Sequence, residues 1–445
     1  MEELAPVREA AAPASGASSH PPSLPAARLA WWTTAVLLIT ALVSYSDRLV
    51  LSVLVDPLRS ELQLTDSAVG VLQGPAFTLV YVFTSLIFGR LADRRSRRAL
   101  LLAGVAIWCA AMIGCALAGR FETFLGARIV LGIGEAALVP TAISLIADSF
   151  PASRLGTPIG VFAMGTVIGG PLGISIGGLL LTAAGHGVFH GWPLIGALSP
   201  WRQVLFAMGT FGLILPALLY SFPEPGRQGT AEPVPLGPAA RYFRSDARIL
   251  LPLYLGMGLL SIGDYGLVGW APTVLSRLYR WPADHVGLAF GVVTAIAGVA
   301  GSLLAGWLSD RVERRGGTRA RATLSAAGAL AAAAAALLFC TGHAALALAG
   351  LGLWTFCSTI GGISGICTLQ EHIPGAFRAT SMSLVTFGNT LIGLGCGPTL
   401  VGFTTDHVFR ATNAVSLAIA TVAVPAGLLA CAGFARTRRA LSFGR

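Results

Sequence analysis

Five ionisable residues sit inside long apolar stretches: Asp47 and Arg48, Arg128 and Glu135, and Asp264. Each costs about 2.5 to 3.5 kcal/mol at the centre of a membrane helix on insertion scales. Facing lipid together they would cost more than ~10 kcal/mol, so they must face one another or a wet cavity. Arg128 and Glu135 are seven apart, nearly two helical turns, which puts both on one face about 10 Å apart along the axis. Arginine presents a planar fork suited to carboxylate or phosphate, and a carboxyl withdrawn from water can take up a proton near neutral pH. This chemistry suits proton-coupled movement of an anion, with Arg48, Arg128 and Glu135 binding substrate and Asp47, Glu135 and Asp264 coupling protons.

Asp47 and Arg48 cannot share a helix face, because successive residues are turned by about 100°. Asp47 is expected to face the cavity as a protonation site, and Arg48 to alternate between Glu135 and substrate. A static salt-bridge network is the alternative, but it leaves one acid in excess. Asp264 stands 217 residues after Asp47. It is open to three readings: tuning of specificity, a second proton site, or a hydrogen bond to a neighbouring helix.

The elements that must hold these residues are membrane helices. Of 445 residues 54% are hydrophobic and 11% charged, and the mean hydropathy is +0.74, which excludes a soluble globular domain of this length. Apolar runs of roughly 20 residues, the length that spans the hydrocarbon, recur about twelve times. In the first half they are Trp31–Val53, Ser67–Leu91, Ala99–Gly119, Phe121–Ala147, Thr157–Ala183 and Trp201–Ser221. In the second they are Ile249–Leu275, Val286–Ser309, Ala322–Thr341, Ala344–Leu369, Thr380–Thr404 and Ala414–Phe434. The expected layout is a disordered cytoplasmic tail over 1–30, a six-helix bundle over 31–221, a Pro- and Gly-rich cytoplasmic linker over 222–248, a second bundle over 249–434 and a cytoplasmic tail over 435–445.

The formal charge of +10 does not imply nucleic acid, because the basic residues, all arginine, sit in alternate loops. The tails and even loops hold 22 of the 30, so the positive-inside rule makes both termini cytoplasmic in a multi-pass cell-membrane protein. The seven cysteines lie in apolar segments without CxxC spacing, so no metal or other cofactor is expected. No GxxxxGK[ST] sequence is present, which leaves an ion or substrate gradient as the energy source and no enzymatic activity.

A ten-residue signature occurs twice, GRLADRRSRR at Gly89–Arg98 and GWLSDRVERR at Gly306–Arg315, again 217 residues apart. It marks two copies of one membrane unit. Twelve spans, a central linker and this motif between the second and third helix of each half resemble the major facilitator superfamily over residues 30 to 435. YSDR at Tyr45–Arg48, RIVLGIGEAALVP at Arg128–Pro140 and GLGCGP at Gly393–Pro398 are similar to its Spinster-type branch. The resemblance implies an all-α major facilitator fold of 12 transmembrane helices in two pseudo-symmetric six-helix bundles. It also implies that the acid and base of span one and the Arg and Glu of span four are the proton-coupling and substrate-binding group.

The resemblance further implies a cytoplasmic gate of Gly89, Asp93, Arg94, Arg97, Gly306, Asp310, Arg311 and Arg314. Asp93 and Asp310 would latch onto the starts of spans eleven and five, near Arg378–Ser381 and Arg154–Thr157, where a helix dipole favours a carboxylate. Gly169, Gly170 and Pro171 in span five, with Gly397 and Pro398 in span eleven, are expected packing and hinge positions. Ile174 and Ser175 stand where the superfamily's antiporter motif would place Gly-Gly.

The expected function is alternating-access, proton-coupled transport by a monomer within membrane lipids. The resemblance implies an anionic amphipathic lipid as cargo, such as a lysophospholipid or a phosphorylated sphingoid base. Two alternatives stand beside it: a proton symporter of a small hydrophilic anion such as a sugar acid, and a receptor that binds without transport.

Overall fold

In a computed structural model of the chain, residues 25–151, 154–227, 236–374 and 377–443 are described. Most of the expected N-terminal tail, residues 228–235 of the linker and the last two residues of the C-terminal tail lie outside them. Eleven helices among the described residues are long and apolar enough to cross a membrane. They are Ala27–Ser52 (span one), Asp66–Arg94 (two), Arg97–Leu117 (three), Phe121–Ser149 (four), Gly156–Gly185 (five), Pro200–Tyr220 (six), Ala247–Tyr279 (seven), Ala283–Thr341, Ala344–His372 (ten), Thr380–Phe409 (eleven) and Thr412–Ser442 (twelve).

Ala283–Thr341 has 59 residues, and as a straight helix it would reach ~90 Å, about three times the hydrocarbon thickness. The run turns at Gly317, whose φ of 62° and ψ of −163° suit glycine alone. Gly301, before the turn, packs on Phe356 and Thr359, and Gly328, after it, packs on Cys357 and Gly361. Both arms therefore lie on the same stretch of span ten and form spans eight and nine, which brings the total to twelve. The sequence leaves a loop between Ser309 and Ala322; helix fills it except at the Gly317 turn.

Each half builds its own core. Phe77, Trp108, Phe124 and Trp201 anchor the first, and Trp270, Phe290, Trp354 and Phe434 the second. Leu394 of span eleven joins the first core and Ile174 of span five joins the second, so the halves interlock.

Two prolines shape the spans that carry the site. Pro75 begins the second segment of span two after a break at Gly74, and the missing N–H of Pro140 removes the bond to Ala136 that would continue span four past Glu135. Glycine lets helices meet closely: a Cβ at Gly173 would lie 2.4 Å from Ser46 Cα, and one at Gly397 2.5 Å from the Ile262 carbonyl. Gly169 rests on Leu42 and Tyr45 in the same way, and Gly170 on Leu49, while Pro171 and Pro398 lie within helices.

The two signature loops share one end of the bundle, the arginine-rich end. The halves are bonded to each other at the opposite end. Arg277 of span seven donates to Asp56 at 2.5 Å and to Asp66 at 2.7 and 2.8 Å. The Ser67 amide donates to Asp406 at 2.6 Å, Thr399 to the Gly70 carbonyl at 3.1 Å and Ser175 to the Gly287 carbonyl at 2.9 Å. Every hydrogen bond described between spans five and eight lies on that side of Pro171. Nearer the arginine-rich end, a Cβ placed at Gly160, Gly306 or Gly388 would meet nothing within 4 Å. The halves thus close at the opposite end and part toward the arginine-rich one.

Candidate functional site

Span one carries Arg48 into the space between the halves, where three rings hold its guanidinium. Its Cζ lies 4.4 Å from the Tyr45 centroid, 4.5 Å from Phe77 and 4.7 Å from Tyr81, a cation–π cradle that a straight ammonium would fill poorly. Its Nε and a terminal nitrogen both donate to Glu135 Oε2, at 3.1 and 2.7 Å, and Ser44 donates to the same oxygen at 3.0 Å. Glu135 Oε1 has no partner among the described residues.

Arg128 is also buried, and its Nε donates to the Leu72 carbonyl at 3.0 Å. That carbonyl is free because the helix breaks at Gly74, so the arginine caps the first segment of span two. One of its terminal nitrogens has no hydrogen-bond partner among the described residues. Asp47 is 1% exposed, and both of its carboxylate oxygens lack a hydrogen-bond partner among the described residues. It lies within electrostatic range of Glu135, Trp108 and Cys109.

Two adjoining cavities flank the midline, one between the halves and one lined by spans seven, ten and eleven of the second half. One of about 390 Å³ is lined by Tyr45, Arg48, Leu49, Gly170, Pro171, Tyr265 and Phe290, among others. The other, of about 300 Å³, is lined by Met257, Ser261, Asp264, Trp354, Ser358 and Asn389, among others. Val268, Thr355, Thr359 and Ile363 line both, so the two spaces lie side by side. A π-helical turn over Asn389–Leu394 in span eleven accompanies this wall, and such turns are frequent at functional sites.

The placement differs from the sequence expectation at three residues. Asp47 does not line the cavity, because the 100° step from Arg48 turns it toward span three. Arg128 and Glu135 do not line it either, since Arg48 lies between Glu135 and the space. Of Asp47, Arg48, Arg128 and Glu135, Arg48 alone reaches the cavity wall among the described residues. Asp264 does line it, and its Oδ1 accepts a bond from Trp354 Nε1 at 2.8 Å.

The signature loops also differ from expectation. Asp93 is exposed and makes no hydrogen bond or ion pair among the described residues, and the Asp310 carboxylate meets Arg321 at 3.4 Å. Neither acid touches the start of span eleven or five, as follows when this end is parted. Gly89 is half-buried, with Pro140 Cβ 4.0 Å from where its Cβ would be, while Arg94 is exposed. Arg311 stacks at 5.2 Å on Trp307, and Arg314 donates to the carbonyl of Asp310 at 3.3 Å.

Arg97 is the buried arginine of the first loop, bound to Asp148 at the end of span four and to Glu224 at 3.1 Å. Its counterpart in the second loop is Arg321, not Arg314. Arg321 binds Glu313 and, at 2.8 Å, Glu371 at the end of span ten. The helical extension past Arg315 displaces the buried position by seven residues.

Glu224, just after span six, ties the chain to this loop. It accepts from Ser96 Oγ at 2.6 Å and from the Arg97 amide at 2.8 Å. Burial pushes its carboxyl up, but these bonds, with those from the Arg97 side chain and the Arg98 amide, bring it below the ordinary 4.5. A depressed carboxyl stabilises the fold fully above its unfolded value and loses that contribution as pH falls through the folded one. Acid should therefore undock this segment. Glu224→Gln is expected to cost about 1–3 kcal/mol at neutral pH and to flatten the acid limb of the stability profile below pH 4.5; melts across pH check both.

The family model of the Major Facilitator Superfamily matches residues 36–398. An MFS-type efflux pump of Mycolicibacterium smegmatis is 26% identical over 411 residues, 90% of each chain. The probable L-galactonate transporter of Escherichia coli is 27% identical over 424 residues, 89% of this chain and 88% of that one. Protein spinster homolog 3 of Danio rerio is 27% identical over 328 residues, 68% of this chain and 63% of its own. A solved bacterial homolog of the human lysosomal transporter Spinster, inward-facing and occupied, superposes with a TM-score of 0.74 at 23% identity. That match covers 94% of this chain and 96% of the other, and at this identity the likeness is one of fold. The resemblance to Spinster-type members thus holds in sequence and in fold. With twelve spans in two interlocked halves around a central cavity, the chain belongs to the Major Facilitator Superfamily of membrane transporters.

Proposed function

We propose that the protein is a proton-coupled secondary transporter of anionic amphipathic small molecules, of the lysophospholipid or sphingoid-phosphate kind, working by alternating access. The observation that carries this reading is the position of Arg48, bonded to Glu135 on one side and facing the cavity on the other. An anion entering the cavity competes with Glu135 for one guanidinium fork. Protonation of Glu135 weakens the pair and frees the fork for the anion; loss of the proton restores the pair and expels it. Asp47, buried with no partner in hydrogen-bond geometry among the described residues, holds the second proton, because an unpaired carboxylate at that depth is far costlier than the neutral acid.

The positive-inside rule puts the arginine-rich end in the cytoplasm, so the parted end faces inward and Asp93 and Asp310 are disengaged latches. Arg277 with Asp56 and Asp66 is the lock that must open in the other half of the cycle. The amphipathic cargo is supported by the cavity wall, where Leu49, Val167, Phe290 and Ile363 accompany a single cation. It is also supported by the seam between spans five and eight, where no bond is described beside the cavity.

The L-galactonate transporter among the relatives keeps a sugar acid in view as the alternative cargo. Counterflow in proteoliposomes separates the two. Exchange of labelled lysophosphatidate or sphingoid phosphate, with none of galactonate, is the expected result; exchange of galactonate alone overturns the cargo, and binding without any exchange overturns transport.

A further inference from the structure

The proton and anion chemistry above makes no use of Asp264. We propose that Asp264, with Asn389 and Ser358, forms a subsite for a primary ammonium group, so that the cargo is a zwitterionic amphipath with its anion at Arg48 and its amine at Asp264. The inference rests on the reading of Arg48 as the anion site.

Asp264 occupies the position in its half that Asp47 occupies in the first, yet the two surroundings are opposite. Asp47 is sealed away, whereas Asp264 forms part of the cavity wall. Trp354 fixes its carboxyl through the indole N–H, at 2.8 Å to Oδ1. The indole is itself tightly packed: it is 1% exposed, and a Cβ on Gly263 would lie 2.1 Å from its ring. No arginine or histidine pairs with Asp264 among the described residues, so its charge is left for something in the cavity.

The second carboxylate oxygen, the Asn389 amide oxygen and the Ser358 hydroxyl supply three acceptors, the number of donors a primary ammonium carries. A quaternary ammonium needs several ring faces, and Trp354 is the single aromatic residue lining this lobe. The two lobes share Val268, Thr355, Thr359 and Ile363, and Tyr265 lies within electrostatic range of both Arg48 and Asp264. One molecule can therefore touch both charges, its chain along the apolar wall.

The test uses the full chain in proteoliposomes with 2-aminododecyl phosphate, its N-acetyl derivative and dodecyl phosphate as probes. Wild type is expected to prefer the free amine by about tenfold or more in KM, the worth of a charge-assisted hydrogen bond. Asp264→Asn should erase that preference, so that the variant handles the free amine and dodecyl phosphate with the same KM. Trp354→Phe, which keeps the wall but drops the indole donor, should weaken the preference without erasing it.

Equal handling of all three probes by wild type overturns the proposal, as does an Asp264→Asn variant that slows all three alike or changes the proton ratio. Hexylamine, which has no anion, separates this subsite from the anion reading. Should wild type move no phosphate, hexylamine binding that Asp264→Asn abolishes still supports the subsite, and its absence overturns it.

Discussion

Arg48→Ala is expected to abolish exchange and to lower stability by about 3–5 kcal/mol, the cost of leaving one member of a buried ion pair without its partner. Arg48 and Glu135 have side chains 4% and 0% exposed, so the variant leaves a buried carboxylate without its cation. The variant also empties a cradle formed by Tyr45, Phe77 and Tyr81. Arg48→Lys should recover part of the stability and little of the exchange, because an ammonium cannot hold Glu135 and an anion with one planar fork. Melting curves in detergent and counterflow on the same preparations check both halves of the prediction. A stable Arg48→Ala protein that still exchanges would remove Arg48 from the mechanism.

Arg277→Ala is expected to produce the next largest change, in conformation rather than in chemistry. Asp66 has a fully buried carboxylate held by Arg277 and, at 3.2 Å, by Arg59, and Arg277 also spans to Asp56. These bonds join the segment between spans one and two to span seven and close the end away from the arginine-rich loops. Charge-assisted bonds contribute about 1.5–3 kcal/mol each, so their loss should shift the balance between the two open states by at least about tenfold. Spin labels at Ser60→Cys and Ala411→Cys, on exposed positions of the two halves, should move to longer separations in Arg277→Ala. An unchanged distance distribution would show that the lock lies elsewhere.

The sequence is most legible where a signal repeats. The 217-residue offset between the signature loops and the apolar run lengths reveal the two halves, and the structure adds only that spans eight and nine join through a helical turn at Gly317. The charged residues of spans one, four and seven could be found from their cost in lipid, but their directions could not. Adjacent residues diverge by about 100°, which says that Asp47 and Arg48 part company without saying which of them meets the cavity. The neighbours decide that: Phe77 and Tyr81 of span two receive the guanidinium, while Asp47 turns to span three.

The seven-residue spacing of Arg128 and Glu135 does not reveal what covers either residue. The Gly74 break frees a carbonyl for Arg128, and Arg48 covers Glu135. Position-by-position symmetry failed at the second loop, where Arg321 takes the buried place that Arg314 would fill, because the extra helical residues before span nine shift the register. Asp56, Asp66 and Arg277 were invisible as a group, since no local period connects residues more than 200 apart in the chain and each reads alone as an ordinary loop charge.

Coupling through the Arg48–Glu135 pair is the central claim, and proton movement in liposomes carrying the purified protein and an internal pH dye tests it most directly. Lysophosphatidate added to wild type should drive a proton flux that Glu135→Gln abolishes while the variant still exchanges the lipid. A full lipid-driven proton flux in Glu135→Gln would contradict the claim and leave the pair a structural brace.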